Sequence, residues 1–443
     1  MNLADTLNLG CACQTLSMPL LRQQLETGPA LDGLAARLTL SHPHLFSATA
    51  VFMDSGVAVR IQQAVTAIER VIALPAWREQ ALARAPAIAA LDNGPSGVFM
   101  GYDFHLTDAG PRLIEINSNA GGALLNAALA RAHSACCNAM GDLIDPQDQL
   151  RRIDAAFVDM FRSEWASQRG HAPLRTVLIV DDAPGQQYLA PEFELVRELF
   201  VSHGLTALVA DAADLQWRDG ALHHPALPPG MAVDLVYNRL TDFYLQDTAH
   251  QALRLAHEAG AVVLTPHPGT HALYADKRNL IALSDSARLA RWGVGNEDLA
   301  LLRAVVPATQ EVSPGKADAL WAARRGLFFK PAAGFGARAA YRGDKLTRRV
   351  WGEILAGDYV AQALVPPSER LVRVNGDKHL LKLDLRAYTY RGEVQLLAAR
   401  TWAGQTTNFR TEGGGFSPVI VLPPPDDTVS QAGHEAVQQF NAD

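Results

Sequence analysis

Hydrophobic and polar positions along this chain change period several times, and each change marks a new kind of element. In SGVAVRIQQAVTAIERVIAL the apolar residues Val57, Ile61, Val65, Ile68 and Val71 recur at helical spacing, with Asp54 or Ser55 placed to cap the start. The first 95 residues read as mostly helical. Two strand-like runs follow, VFMGYDFHL and RLIEIN, separated by TDAGP. GGALLNAALARA resumes as helix, and a polar amphipathic helix is predicted over about 147–169.

From Arg175 the texture alternates. TVLIVDD reads as a buried strand ending in two acids, and PEFELVRELFVSHG as a helix with Pro191 near its first turn and Gly204 at its end. LTALVAD, VDLVYNRL and AVVLTP are further strands, with a helix over 247–258 between the last two. This alternation predicts a small parallel α/β layer. Its strand ends carry Asp181, Asp182, Asn238 and Arg239, and such ends are where these sheets usually bind ligands.

Beyond about 273 helix and strand mix. LFFKPAAGFGARAAYRG is strand, Gly-rich loop, strand, and DYVAQALVPP is a strand running into a double proline. HLLKLDLRAYTYRGEVQLLAARTW is a long antiparallel hairpin turning at Arg391-Gly392, and TTNFRTEGGGFSPVIVLPPPDD follows as loop then strand. The fold class is therefore multidomain, α/β and α+β. We expect a helical region over 1–95, a hairpin with helices over 96–172, the α/β layer over 173–272 and a mixed part over 273–443.

Composition narrows the function classes. With 443 residues, 48% hydrophobic and 19% charged, the chain is globular and long enough for two or three domains. Lys plus Arg total 39 against 46 for Asp plus Glu, a net charge of −7 without a basic block, so nucleic acid is not an expected partner. No apolar run approaches the roughly 18 residues of a membrane helix. Four cysteines, Cys11, Cys13, Cys136 and Cys137, are too few for a disulfide framework, and MNLADTLNLG lacks a basic residue ahead of an apolar core. The expectation is a soluble, cytoplasmic protein.

The most informative segment is VFMGYDFHLTDAGPRLIEINSNAGG. A turn centred on Ala109 pairs Asp103 with Glu115 and Gly101 with Asn117. Alternation then groups Tyr102, Phe104, Ile114 and Ile116 on the apolar face, and Asp103, Glu115 and Asn117 on the other. Facing carboxylates repel at a Cβ separation of about 5 Å. A hard cation between them, Mg²⁺ above all, resolves the conflict and leaves positions for phosphate and water. A solvated hairpin face is the plainer alternative.

The second element is FFKPAAGFGARAAYRG, where a strand delivers Lys330 and the loop 332–337 holds Gly334 and Gly336. Glycines let backbone N–H groups approach an anion while the lysine supplies charge. Lys277 begins a helix within reach of a bound phosphate. Gln362 in YVAQALVPP offers its amide, with the backbone of Val360 and Ala361, to a purine edge. Arg386 lies within a strand, and Asn408 and Arg410 precede a triple glycine; strand-centred arginines usually pair with an acid or a ligand anion. The loop SNAGG before a helix would present N–H groups to a carboxylate. No G-x-S-x-G elbow exists; His42 with His44 and His267 with His271 could suggest zinc, but Pro268 and Gly269 rule out a shared helical face, and Cys11 with Cys13 lacks a second pair at zinc spacing.

Taken together, Lys277, Lys330, the 332–337 loop, Gln362, Asp103, and Glu115 with Asn117 resemble the signature of the ATP-grasp ligases. Here the metal-type residues precede the lysines by more than 150 positions, an order similar to the circularly permuted ATP-grasp group that includes glutathionylspermidine synthase. The D-F-…-G-P-x-L-x-E-x-N run resembles that synthase's segment, with Gly101 standing where its pattern has an arginine. The resemblance covers about 97–126 and 175–421, with 173–272 as the layer preceding the nucleotide domains. It implies ATP and Mg²⁺ as cofactors, with Asp103, Glu115 and Asn117 on the metal. Lys277, Lys330, Gly334, Gly336, Gln362, Val360 and Ala361 would hold the nucleotide, and Arg386, Arg410 and Lys330 would serve catalysis. The implied activity joins a small-molecule or peptide carboxylate to an amine through an acyl phosphate. A small-molecule kinase, an inactive nucleotide-binding protein and a non-catalytic interaction protein stand as alternatives.

Overall fold

The computed structural model describes residues 2–133, 150, 152–334 and 339–424. Five helices crowd the start: α1 (Leu3–Gly10), α2 (Met18–Leu25), α3 (Leu34–Ser41), α4 (Ser55–Ile72) and α5 (Pro75–Leu82). Asp54 is the residue ahead of α4, as its position suggested, although its side chain makes no capping bond. The helical stretch is not purely helical, because a short strand, β1 (Val51–Asp54), interrupts it.

The predicted hairpin forms as β2 (Met100–Thr107) and β3 (Gly110–Asn117). Gly101 opposes Asn117 and Asp103 opposes Glu115, the expected register. One residue further the register shifts, and Phe104 faces Leu113 rather than Ile114. The extra residue is a β-bulge, and a one-residue slip sends side chains to the other face. Leu113 is therefore buried beside Phe104, while Ile114 leaves the apolar face expected of it and is only half-buried.

Helices α6 (Ala123–Arg131) and α7 (Ile153–Arg169) follow, so the second starts later than 147. Residues 147–149 of that expected helix, and Cys136 with Cys137, lie outside the described residues. The α/β layer holds β4 (Thr176–Asp181), α8 (Ala190–Ser202), β5 (Thr206–Asp211), a small hairpin of β6 (Gln216–Arg218) and β7 (Ala221–His223), β8 (Leu235–Asn238), α9 (Gln251–Glu258) and β9 (Val263–Thr265). Its four long-range strands run parallel in the order β5-β4-β8-β9. The hairpin β6–β7, three residues a side, carries too short an alternation to read from sequence.

The last part builds two sheets. Strands β10 (Thr309–Glu311), β11 (Leu327–Pro331), β12 (Tyr341–Arg342) and β13 (Tyr359–Ala363) form an antiparallel sheet in the order β10-β13-β11-β12. Strands β14 (Ser368–Val374), β15 (Asp377–Tyr390), β16 (Glu393–Trp402) and β17 (Gly415–Leu422) extend a larger sheet, β1-β17-β16-β15-β2-β3, with β14 pairing the first half of β15 on the flank that β2 takes further along. The turn between β15 and β16 falls at Arg391 and Gly392, both with positive φ, as a two-residue hairpin of this kind requires. The early hairpin thus pairs with β15, some 280 residues later, which places its carboxylates among late-chain residues.

Candidate active site

A cleft of about 170 Å³ opens between the large sheet and the antiparallel sheet. Asp103 and His105 reach it from β2, Ile114, Glu115 and Asn117 from β3, and Asp384 and Arg400 from β15 and β16. Phe328 and Lys330 face it from β11, Gln362 from β13, and residues 364–367 line it as well.

Lys330 is almost fully buried at the junction. Its Nζ donates to the Ile114 carbonyl at 2.7 Å and to Gln362 Oε1 at 2.9 Å. The bulge in β3 sets this geometry, since a ladder disruption leaves a carbonyl unpaired for the lysine. Burial pushes the Lys330 ammonium down to about 8, against the opposing pull of Glu115. Lys277 Nζ donates to the Gly334 carbonyl at 2.7 Å and lies 3.9 Å from Glu115 Oε2. Burial works to raise the Glu115 carboxyl, but Lys277 and Lys330 outweigh it and hold it low.

Gln362 is pinned by Lys330 so that its amide Nε2 is buried with no partner. A buried, unpaired donor costs on the order of 1–3 kcal/mol, and this one is free to meet an acceptor placed in the cleft. Strand β13 is a central strand rather than an edge. Val360 and Ala361 are fully buried and paired on both sides, so they do not line the cleft as expected; residues 363–367, just downstream, line it instead.

The carboxylates carry an arginine network. Arg386 donates from Nε to Asp103 Oδ1 at 2.6 Å and from Nη2 to Oδ2 at 2.7 Å. Arg400 adds a bond to Asp103 Oδ2 at 2.9 Å and grips Asp384 with Nε and Nη2, at 2.8 and 2.9 Å. Thr407 Oγ1 completes the Asp384 shell at 2.8 Å. Burial would raise the Asp103 carboxyl, yet the two guanidiniums hold it far below the ordinary carboxylate range. Asn117 Nδ2 sits 3.3 Å from Asp103 and 3.4 Å from Glu115. A Cβ on Gly101 would stand 2.5 Å from that of Ala120 and 3.5 Å from Arg386 Nε, so the space beside Gly101 already holds the arginine of β15.

The structure thus brings Asp103, Glu115, Asn117, Lys277, Lys330, Gly334, Gln362 and Arg386 together. Gly336 lies outside the described residues. Arg410 does not join them: it is exposed, near Tyr188, and Arg400 occupies the cleft instead. Sequence reasoning misses Arg400 and Asp384, because only the register shift after Tyr388 sets them opposite one another. Nor is the SNAGG loop open to a carboxylate, because Glu192 of α8 accepts from Gly122 N at 2.7 Å and Leu124 N at 3.1 Å. Among the strand-end residues of the α/β layer, Arg239 is buried between Asn119 and Tyr237, and its charge faces Glu192 and Asp181. Among the described residues, no helix is long and apolar enough to cross a membrane.

The arrangement of layers can be compared with solved structures. A glutathione synthetase-like effector from Globodera pallida superposes over 92% of this chain and 98% of its own, with a TM-score of 0.55 at 12% identity. The two share one fold. A putative gamma-glutamylcysteine synthetase from Methylobacillus flagellatus covers 89% of this chain and 95% of its own, with a TM-score of 0.45 and 14% identity. No protein-family model and no curated protein matches the chain. The glutathione synthetase-like fold therefore rests on the arrangement of elements, at an identity where side chains have largely diverged.

Proposed function

We propose that the chain is an ATP-dependent carboxylate–amine ligase of the circularly permuted ATP-grasp kind, forming ADP through an acyl phosphate. One observation carries the reading: Lys330 from the late chain donates to the backbone of the Glu115 hairpin from the early chain. Two lysines, a carboxylate hairpin and an orphaned amide donor thereby share a single cleft. The glutathione synthetase-like fold supports the same reading.

The donor set fits magnesium. Glu115 and Asn117 offer a carboxylate and an amide on one strand face, and the surrounding cations offset the charge of the neighbouring acids. Asp103 stands behind them, its oxygens already accepting from Arg386 and Arg400, and it would complete the shell only by sharing those oxygens. Bound there, Mg²⁺ would supply charge neutralisation between the β- and γ-phosphates.

The remaining work falls to this chain's own groups. Lys277 and Lys330 hold phosphate oxygens, and Gln362 donates to the base. Arg386 and Arg400, fixed side by side by Asp103, stabilise charge on the acyl phosphate formed when the substrate carboxylate takes the γ-phosphoryl group. The amine then displaces phosphate to give the amide.

Glu115→Gln and Lys330→Ala are each expected to abolish ADP formation while the far-UV CD spectrum stays unchanged; undiminished turnover in both rules the site out. ADP release screened over amino acids, peptides and polyamines is expected to require an amine together with an acid. ADP release from the acid alone would instead indicate a kinase.

A further inference from the structure

Side chains alternate along a strand, so Tyr102 points away from the cleft that Asp103 faces. On that opposite side lies a second cavity of about 360 Å³, lined by α4 through Thr66, Glu69, Arg70 and Ala73, by Met100 and Tyr274, and by Arg391 and Glu393 at the β15–β16 turn. Its accessible wall is more apolar than polar, and its acids are Glu69 and Glu393, of which Glu69 is the one held by two phenols. The Glu69 carboxylate accepts from Tyr274 OH at 2.6 Å and from Tyr102 OH at 3.2 Å. Those bonds use two of about four acceptor positions on a carboxylate.

The group lacks a counter-charge. Among the described residues, no lysine, arginine or histidine forms an ion pair with Glu69, and the guanidiniums at the rim are committed elsewhere. Arg70 holds Asp298, with Nε 2.8 Å from Oδ2. Arg391 donates to Ser96 Oγ at 3.2 Å and lies 3.8 Å from Glu164. A carboxylate withdrawn from water is costly unless a cation meets it, and burial accordingly raises the Glu69 carboxyl despite both phenols. The two tyrosines hold the carboxylate in one orientation beside the cavity.

We propose that this cavity is a binding site for a small primary ammonium compound, whose N–H groups donate to Glu69 while its short apolar stem lies along Met100 and Ala73. The site is separate from the nucleotide cleft and does not rest on the ligase reading. Neither rim guanidinium favours a cationic tail, so a monoamine suits it better than a polyamine.

Isothermal titration of the full chain with n-butylammonium tests it, with n-butanol as the uncharged control. Saturable one-to-one binding of the amine alone is expected. Glu69→Gln is expected to weaken it at least about tenfold, the scale of one lost charged hydrogen bond. Ala73→Phe, which fills the mouth from an exposed helix end, is expected to abolish it and serves if the first variant misfolds. Glu115→Gln, altered in the other cleft, is expected to bind as the parent does. No saturable binding at millimolar amine, equal binding by the Glu69 and Ala73 variants, or loss in the Glu115 variant would each overturn the proposal; the last would place the amine in the nucleotide cleft.

Discussion

Lys330 concentrates the residue-scale physics of this protein. Its side chain is enclosed between strands of the early and the late chain, and desolvation pushes its ammonium down to about 8. A depressed lysine keeps its charge below its own pKa and loses it as pH rises. Affinity for ADP is therefore expected to hold steady below about pH 8 and fall above it, whereas Lys330→Ala should bind weakly at every pH. Calorimetric titration across that range checks this, and a flat parent profile would remove Lys330 from the phosphates. Residue types alone pointed to Lys277, Lys330, Glu115 and Gln362, because each is chemically conspicuous where it stands. Residue type does not separate Arg400 from Arg410, since two arginines in one strand-and-loop stretch look alike until packing sorts the half-buried one from the exposed one.

Two bulges govern the elements. In β3 the extra residue is Ile114, and in the β15–β16 pairing the register shifts after Tyr388. Counting from the turn at Arg391-Gly392 would put Leu383 opposite Arg400. The shift instead puts Asp384 there, which is what lets Arg400 grip that acid. Alternation gives the faces of a regular strand, but a single inserted residue exchanges them, and nothing in the local pattern announces it. Glycine placement at the α6 start carries a prediction. Gly122 has φ +98, and a Cβ there would collide with the Phe416 ring and stand 3.0 Å from Tyr388 OH. Gly122→Ala should lower stability by roughly 1–3 kcal/mol. Gly260→Ala, at φ +63 with nothing within 4 Å, should cost about 1 kcal/mol or less. Denaturant midpoints of the two variants compare them, and equal losses would contradict the packing argument.

At the scale of the whole molecule, early and late segments of the chain are stitched together. Arg370 on β14 is buried, donating to the carbonyls of Asn8 at 3.0 Å and Ala50 at 2.7 Å, and also to Cys11. Strand β1 lies parallel to β17, Val51 opposite Val419, so the N-terminal region completes the large sheet rather than standing apart from it. Arg370→Met would leave several buried carbonyls without donors, and is expected to cost about 3 kcal/mol and speed proteolysis near residues 7–12. Limited digestion with mass mapping is the check; unchanged cleavage would mean α1 is held by its apolar contacts alone.

Local chemistry was decided by the sequence alone: the hairpin and its first register, the parallel layer, the turn at Arg391-Gly392 and the residue types able to meet a phosphorylated ligand. These are short-range matters, set by periodicity, turn residues and charge within a dozen positions. The tertiary structure decided which of those groups meet. Pairing between β2 and β15, both bulges, the choice of Arg400 over Arg410 and the closing of the α6 start by Glu192 depend on contacts across hundreds of residues. Such contacts are selected by how whole surfaces pack, and no window of sequence contains that information.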